Sequence, residues 1–175
     1  MQTVHLNNLQ KVILDEALSR QLARTKRIFS RRHKTHFNDE QLKTIFDRIS
    51  VDFSDKLYEI PFKCFFSFYL YLILKSRVKY IDWIEEMPYY FKIAVSQDFN
   101  VMKLNREFGV CRSSIRKAYS ELVKYKLIET LPDIVPEHKS TKSILVYNDH
   151  YIHSFDPEVG HVVYTSEIPF NFYNK

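Results

Sequence analysis

Apolar residues recur at three- and four-residue intervals along most of this chain, and the polar residues between them mark the faces that stay in water. From Leu6 to Phe29 the stripe runs through Leu9, Val12, Ile13, Ala17, Leu18 and Leu22, which predicts a long N-terminal helix. Asp39 to Ile49 predicts a second helix, with Leu42, Ile45, Phe46 and Ile49 inward and Asn38 and Gln41 spaced as a capping box. Pro61 predicts the start of a third, because a first helical position needs no amide donor. Phe62, Phe65, Phe66, Tyr69, Leu70, Ile73 and Leu74 then make it the central core helix. Phe91, Ile93 and Val95 alternate instead, as a short strand does. Leu127 to Ile134 and Lys142 to Tyr147 predict two strands around the polar tip VPEHKST. HYIHSFDPEVGHVVYTSEI predicts a last hairpin, turning at Asp156-Pro157-Glu158 with Gly160 as its bulge or exit residue, and the aromatic end IPFNFYNK is expected to dock on the core.

The densest information lies in Asn100 to Glu129, NVMKLNREFGVCRSSIRKAYSELVKYKLIE. One apolar-periodic segment (Val101, Leu104, Phe108) is followed by another (Ile115, Ala118, Leu122, Val123), and one of the chain's two glycines, Gly109, falls between them. A left-handed backbone position costs little only for glycine, so two helices can turn sharply here. Asn100 is suited to cap the first helix, Val110 to fill the angle between the two, and Ala118 to allow close approach. Ile115, Ala118 and Leu122 share the inner face. Arg112, Ser113, Arg116, Lys117 and Ser120 are left outside, where guanidinium and hydroxyl groups suit base edges and phosphates.

The run GVCRSSIRKAYSELVKYKLIE resembles the G-V-S-R-x-T-V-R-x-A-L-x-x-L-x-x-x-G-L-I signature of GntR-type winged helices, a likeness confined to about residues 100–147. The resemblance implies that Arg112, Ser114 and Arg116 touch DNA at the start of a recognition helix. Cys111 stands where the family usually has a capping serine, Asn105 where a small alanine is usual, and Lys126 where a glycine usually ends the helix. No GntR-type effector domain follows, so ligand control is not carried over. YEIPFKCFFSFYLYLILKSR more loosely resembles the helix entering the winged helix of plasmid and phage replication proteins.

Charge sharpens this picture. Residues 1–36 hold eight Lys/Arg against two acids and residues 101–126 hold seven against two, so these stretches carry +11 while the remainder sums to −6. Segregated cations are what phosphate binding requires, and such binding weakens steeply with salt. Arg24, Lys26, Arg27, Arg31, Arg32 and Lys34 crowd the end of the first helix, as an arm along a DNA backbone or as a helix that pairs with a second subunit. Cations at a helix C-terminus are also favoured by the helix dipole alone. Lys103 and Arg106 are expected to position the module, with Lys139 and Lys142 reaching DNA from the wing, although Glu137 and His138 fit an ordinary solvated turn equally well.

Other chemistries find little support. Cys64 and Cys111 form no CxxC pair, so neither a disulfide framework nor a zinc finger is indicated, and a cytoplasmic, reducing compartment fits. The N-terminus has no secretory pattern, and Phe62 to Leu74 falls short of the roughly 20 residues that span a bilayer. His150, His153 and His161, or His33 and His36, lack cysteine or carboxylate partners at ligand spacing. No phosphate-cradling glycine loop, HExxH or nucleophile elbow occurs, so neither an enzyme nor a cofactor is expected.

The expected fold is mainly α (α+β): a basic helical extension over 1–57, a winged helix-turn-helix over 58–148 and a hairpin with its tail over 149–175. The expected function is sequence-specific binding of double-stranded DNA by a homodimeric transcriptional regulator, reading the major groove with the helix over 111–126. A replication or mobile-element initiation factor is the alternative, docking a protein partner through Trp83 to Phe91. A winged helix used only for protein contacts is a third.

Overall fold

A computed structural model of the chain describes residues 8–49, 52–77, 90–94, 100–131 and 143–165. The chain divides into two compact units, residues 1–47 and 48–175. Residues 48–57, grouped above with the extension, and the C-terminal hairpin therefore belong to the larger unit.

α1 spans Asn8–Arg32 and α2 spans Asp39–Arg48, and both belong to the smaller unit except for Arg48, the last residue of α2. The capping box forms reciprocally: the Gln41 amide donates to Asn38 Oδ1 at 2.8 Å and the Asn38 amide to Gln41 Oε1 at 3.0 Å. Thr25 and Phe29 of α1 are buried, as are Phe37, Leu42, Ile45 and Phe46. The stripe expected to bury the start of α1 does not: Leu9 is 69% exposed, and Val12 and Ile13 are also exposed. Helical periodicity gives the face of each residue but not whether another element covers that face.

The larger unit is built around α3 (Ser67–Ser76), whose residues from Ser67 to Leu74 are all buried. A helix apolar on every side has no wet face and sits at the centre of its core. Its start differs from the expectation at Pro61. The Lys63 and Cys64 amides donate instead to the carboxylate of Glu121, 3.0–3.1 Å away, so the helix begins at Ser67. That carboxylate arrives from a distant part of the chain, which local sequence does not reveal. An unexpected 3-10 turn over Asp55–Glu59, capped by Ser54, brings Leu57 and Tyr58 into the core, where Phe53, Tyr58, Phe68 and Tyr69 meet ring to ring.

Among the described residues five strands follow the expected order. β1 (Tyr90–Ala94), β2 (Ile128–Leu131) and β3 (Ser143–Tyr147) form an antiparallel sheet in the order β1-β3-β2, with Ile144 opposite Ile93 on one side and Thr130 on the other. β4 (Ile152–Asp156) and β5 (His161–Tyr164) form a separate hairpin, closed where the Gly160 amide, at φ 82°, donates to the Asp156 carbonyl at 2.8 Å. The described chain is thus mainly helical, with small antiparallel sheets. Residues 80–89, the tip VPEHKST and the tail IPFNFYNK lie outside the described residues.

A buried polar cluster joins the hairpin end of this unit to α3. Asp149 is fully buried and ion-pairs with Lys75 at 2.5 Å, while the Ser54 amide donates to its other oxygen at 2.5 Å. The Tyr71 hydroxyl donates to the Tyr147 carbonyl at 2.6 Å and receives the Asp149 amide at 3.1 Å. Burial drives the Tyr71 hydroxyl far above the ordinary phenol range, and the Asp149 charge adds to this.

Candidate nucleic-acid interface

The helix pair expected between Asn100 and Glu129 is present as α4 (Val101–Phe108) and α5 (Arg112–Lys124). Asn100 caps α4 by accepting from the Met102 and Lys103 amides at 2.9 and 3.1 Å. Gly109 ends it at φ 66°, in the left-handed conformation that the turn demands. Asn105, where the GntR pattern has alanine, donates its side-chain amide to the Val110 carbonyl at 2.8 Å and so braces the turn. Val110 is buried between the helices with Leu104 and Phe108.

Ile115, Ala118 and Leu122 of α5 are completely buried, which fixes the rotation of the helix. Arg112, Ser113, Arg116, Lys117 and Ser120 are exposed on the opposite face. Lys124 joins them and was missed in the sequence reading, although its place one turn beyond Ser120 and two beyond Lys117 on the same face was legible. Lys103 and Arg106 are exposed on α4. None of Lys103, Arg106, Arg112, Arg116, Lys117 and Lys124 ion-pairs with a carboxylate among the described residues.

Both acids of α4 and α5 are engaged elsewhere. Glu121 accepts from the Lys63 and Cys64 amides and from the Ser67 hydroxyl at 2.7 Å. Glu107 bridges Arg77 at 2.7 Å and Arg48 at 3.1 Å, with the Arg48 guanidinium also over the Phe108 ring. The outer face of α5 therefore presents positive charge that no acid on that face dilutes. Such a surface attracts polyanions at a distance and holds their oxygens at contact.

Ser114 is only half-exposed, and its hydroxyl lies 3.0 Å from Cys111 Sγ. Cys111 occupies the N-cap position of α5 without a side-chain bond to the helix amides. The hydroxyls of Ser113 and then Ser114 bring its exposed thiol down to about 7. Cys64 behaves oppositely, since burial pushes its thiol up.

No protein family, curated protein or solved structure matches this chain in comparisons with known proteins.

The far end of α5 is held by its surroundings. A Schellman arrangement closes it, with the Leu127 amide donating to the Leu122 carbonyl at 3.0 Å and the Lys126 amide to Val123 at 3.1 Å. The Tyr164 hydroxyl donates to the Lys126 carbonyl at 2.6 Å and the Val162 amide to Tyr125 at 3.0 Å, so the C-terminal hairpin clamps the exit of the helix. Tyr119 bonds to Thr130 of β2.

The remaining candidates divide. Lys139 and Lys142 lie outside the described residues. In the smaller unit Arg24, Arg27 and Arg31 are exposed, and Lys34 is exposed in the connection to α2. Lys26 instead ion-pairs with Asp39 at 2.7 Å. Arg32 lies over the Phe29 ring, 5.6 Å from its centroid, and partial burial lowers its guanidinium pKa. Among the described residues no three His, Cys, Asp or Glu side chains gather as a metal site, and no helix is long and apolar enough to cross a membrane.

Proposed function

We propose that this chain binds double-stranded DNA in a sequence-dependent way, with α5 in the major groove, and acts as a transcriptional regulator. The observation that carries this reading is the outer face of α5, where Arg112, Arg116, Lys117 and Lys124 stand exposed without a carboxylate partner among the described residues. Arginine pairs bidentately with guanine edges and phosphates, and hydroxyls such as those of Ser113 and Ser120 suit either. The order α3, β1, α4, α5, β2, β3 with a β1-β3-β2 sheet supports a winged helix, its wing being the β2–β3 connection that contains Lys139 and Lys142. Lys103 and Arg106 of α4 would hold phosphates flanking the groove. One such module covers a short half-site, so two copies on a palindrome about one helical turn apart would multiply affinity.

The test is selection from a random duplex pool at low and physiological salt, with the Arg112→Ala/Arg116→Ala variant in parallel. An enriched palindrome that the variant no longer selects supports a dimeric regulator. Enriched direct repeats would move the role to marking a replication origin. Equal, weak binding by both proteins with nothing enriched overturns the reading and points to an acidic protein partner.

A further inference from the structure

α1 carries a second cationic surface, in the smaller unit. Between Ala17 and Arg32 the helix has six Arg/Lys and no acid. Burial of Thr25 and Phe29 defines its inner side. The helical period then puts Arg20, Arg24, Arg27 and Arg31, at four-, three- and four-residue steps, in one row on the opposite side, and all four are exposed. Lys26 and Arg32 are not in this row, being engaged with Asp39 and Phe29. Arg20, Arg27 and Arg31 have no ion pair with a carboxylate among the described residues.

We infer that this row is a sequence-independent clamp for the phosphate backbone of duplex DNA, separate from the reading face of α5. The inference rests on the proposed function for the identity of the nucleic acid, and on α1 alone for the clamp. Eleven residues of helix extend about 16 Å. Along one strand of duplex DNA a charge recurs every 3.4 Å of the axis, so roughly five phosphates lie over that length, enough for the row. All four positions are arginine, whose planar fork grips phosphate oxygens in pairs, whereas lysine offers a point charge. A membrane surface fits less well. A helix lying in lipid headgroups needs a free apolar side opposite its cations, and here that side holds the buried Thr25 and Phe29. The exposed residues between the arginines on the outer face, Ala23 and Ser30, are small or polar.

The experiment measures binding of the full chain to two short duplexes across a salt series, one carrying a sequence enriched from the random pool and one scrambled. Wild type is compared with Arg20→Gln/Arg24→Gln/Arg27→Gln/Arg31→Gln and with Arg112→Ala/Arg116→Ala, each checked for native circular dichroism. The α1 variant should weaken both duplexes by the same factor and reduce the slope of log K against log salt by about 3, leaving the preference intact. An unchanged slope overturns the clamp whatever the α5 variant does. Retained preference in the α5 variant, alongside a reduced slope in the α1 variant, overturns the groove-reading proposal and leaves the clamp standing. Unchanged duplex binding with lost binding to phosphatidylserine vesicles would assign the row to membranes and overturn the inference.

Discussion

The carboxylate of Glu121 on α5 accepts the hydroxyl of Ser67 at the start of α3, 2.7 Å away and 54 positions earlier in the chain. The same carboxylate takes the Lys63 and Cys64 amides, so one side chain satisfies the entry of the core helix and pins the rotation of the cation-bearing helix. A carboxylate accepting several hydrogen bonds is well placed at a helix start, where orphan donors and the helix dipole both favour negative charge. Its position also keeps an acid off the outer face.

Glu121→Ala should therefore cost about 2 to 3 kcal/mol, because it orphans several donors together. Urea denaturation checks this through a lower midpoint at constant m. Glu121→Gln should recover part of the loss, since one acceptor oxygen remains. A loss below about 0.5 kcal/mol for the alanine variant would mean that water replaces the carboxylate and that it does not anchor α5.

The fold was legible wherever the signal was local. Gly109, Asn100 and the stripe through Ile115, Ala118 and Leu122 mark the α4–α5 pair, and Asn38 with Gln41 mark α2, because caps, turns and faces depend on neighbours within a few positions. What escaped depends on distant groups. The late start of α3 follows from Glu121, and the exposure of Leu9, Val12 and Ile13 follows from the lack of a covering element among the described residues. Of the candidate site, the outer face of α5 was readable from period and charge. The engagement of Lys26 by Asp39 and of Arg32 by Phe29, and the bond from Asn105 to Val110, depend on side-chain directions that neither period nor charge encodes.

Lys126 has φ 60°, the one non-glycine residue in the left-handed region among those described. Its left-handed backbone closes the Schellman arrangement at the end of α5, with lysine where glycine is the usual residue. A side chain in that conformation costs about 1 kcal/mol. Lys126→Gly should stabilise the chain by up to about 1 kcal/mol, reduced by the greater freedom glycine gives the unfolded state, whereas β-branched Lys126→Val should destabilise it. Thermal melts of both variants provide the check; a lower melting temperature for the glycine variant than for the valine one would refute the account.

Asp149→Ala should cost about 3 to 5 kcal/mol, since it leaves the Lys75 ammonium, only 8% exposed, without its buried counter-charge. Removing both charges as Lys75→Met/Asp149→Ala should restore a good part, because two buried ions are then absent rather than one unpaired. Chemical denaturation of the singles and the double gives the coupling. A double variant no more stable than Asp149→Ala would show that the pair's attraction is not what the single loses.

Cys111 supplies a pH dependence whose sign can be worked out. Its thiol titrates near about 7 because the Ser113 and Ser114 hydroxyls favour the thiolate, against about 8.5 for an ordinary cysteine. The depressed value means that ionisation favours the folded chain above the unfolded thiol's pKa, a contribution lost as pH falls through about 7. Iodoacetamide should therefore alkylate Cys111 at a rate half-maximal near pH 7, and Ser113→Ala/Ser114→Ala should move that midpoint upward. Cys64 does not confuse the readout, being half-buried with its thiol pushed up. If α5 meets phosphates as proposed, the new negative charge at its N-terminus opposes them, so DNA affinity should fall between about pH 6 and about pH 8. Cys111→Ser should flatten that fall while leaving affinity at the lower pH unchanged. An alkylation midpoint above about 8 in the wild type would remove the hydroxyl effect, and with it the expected pH dependence of binding.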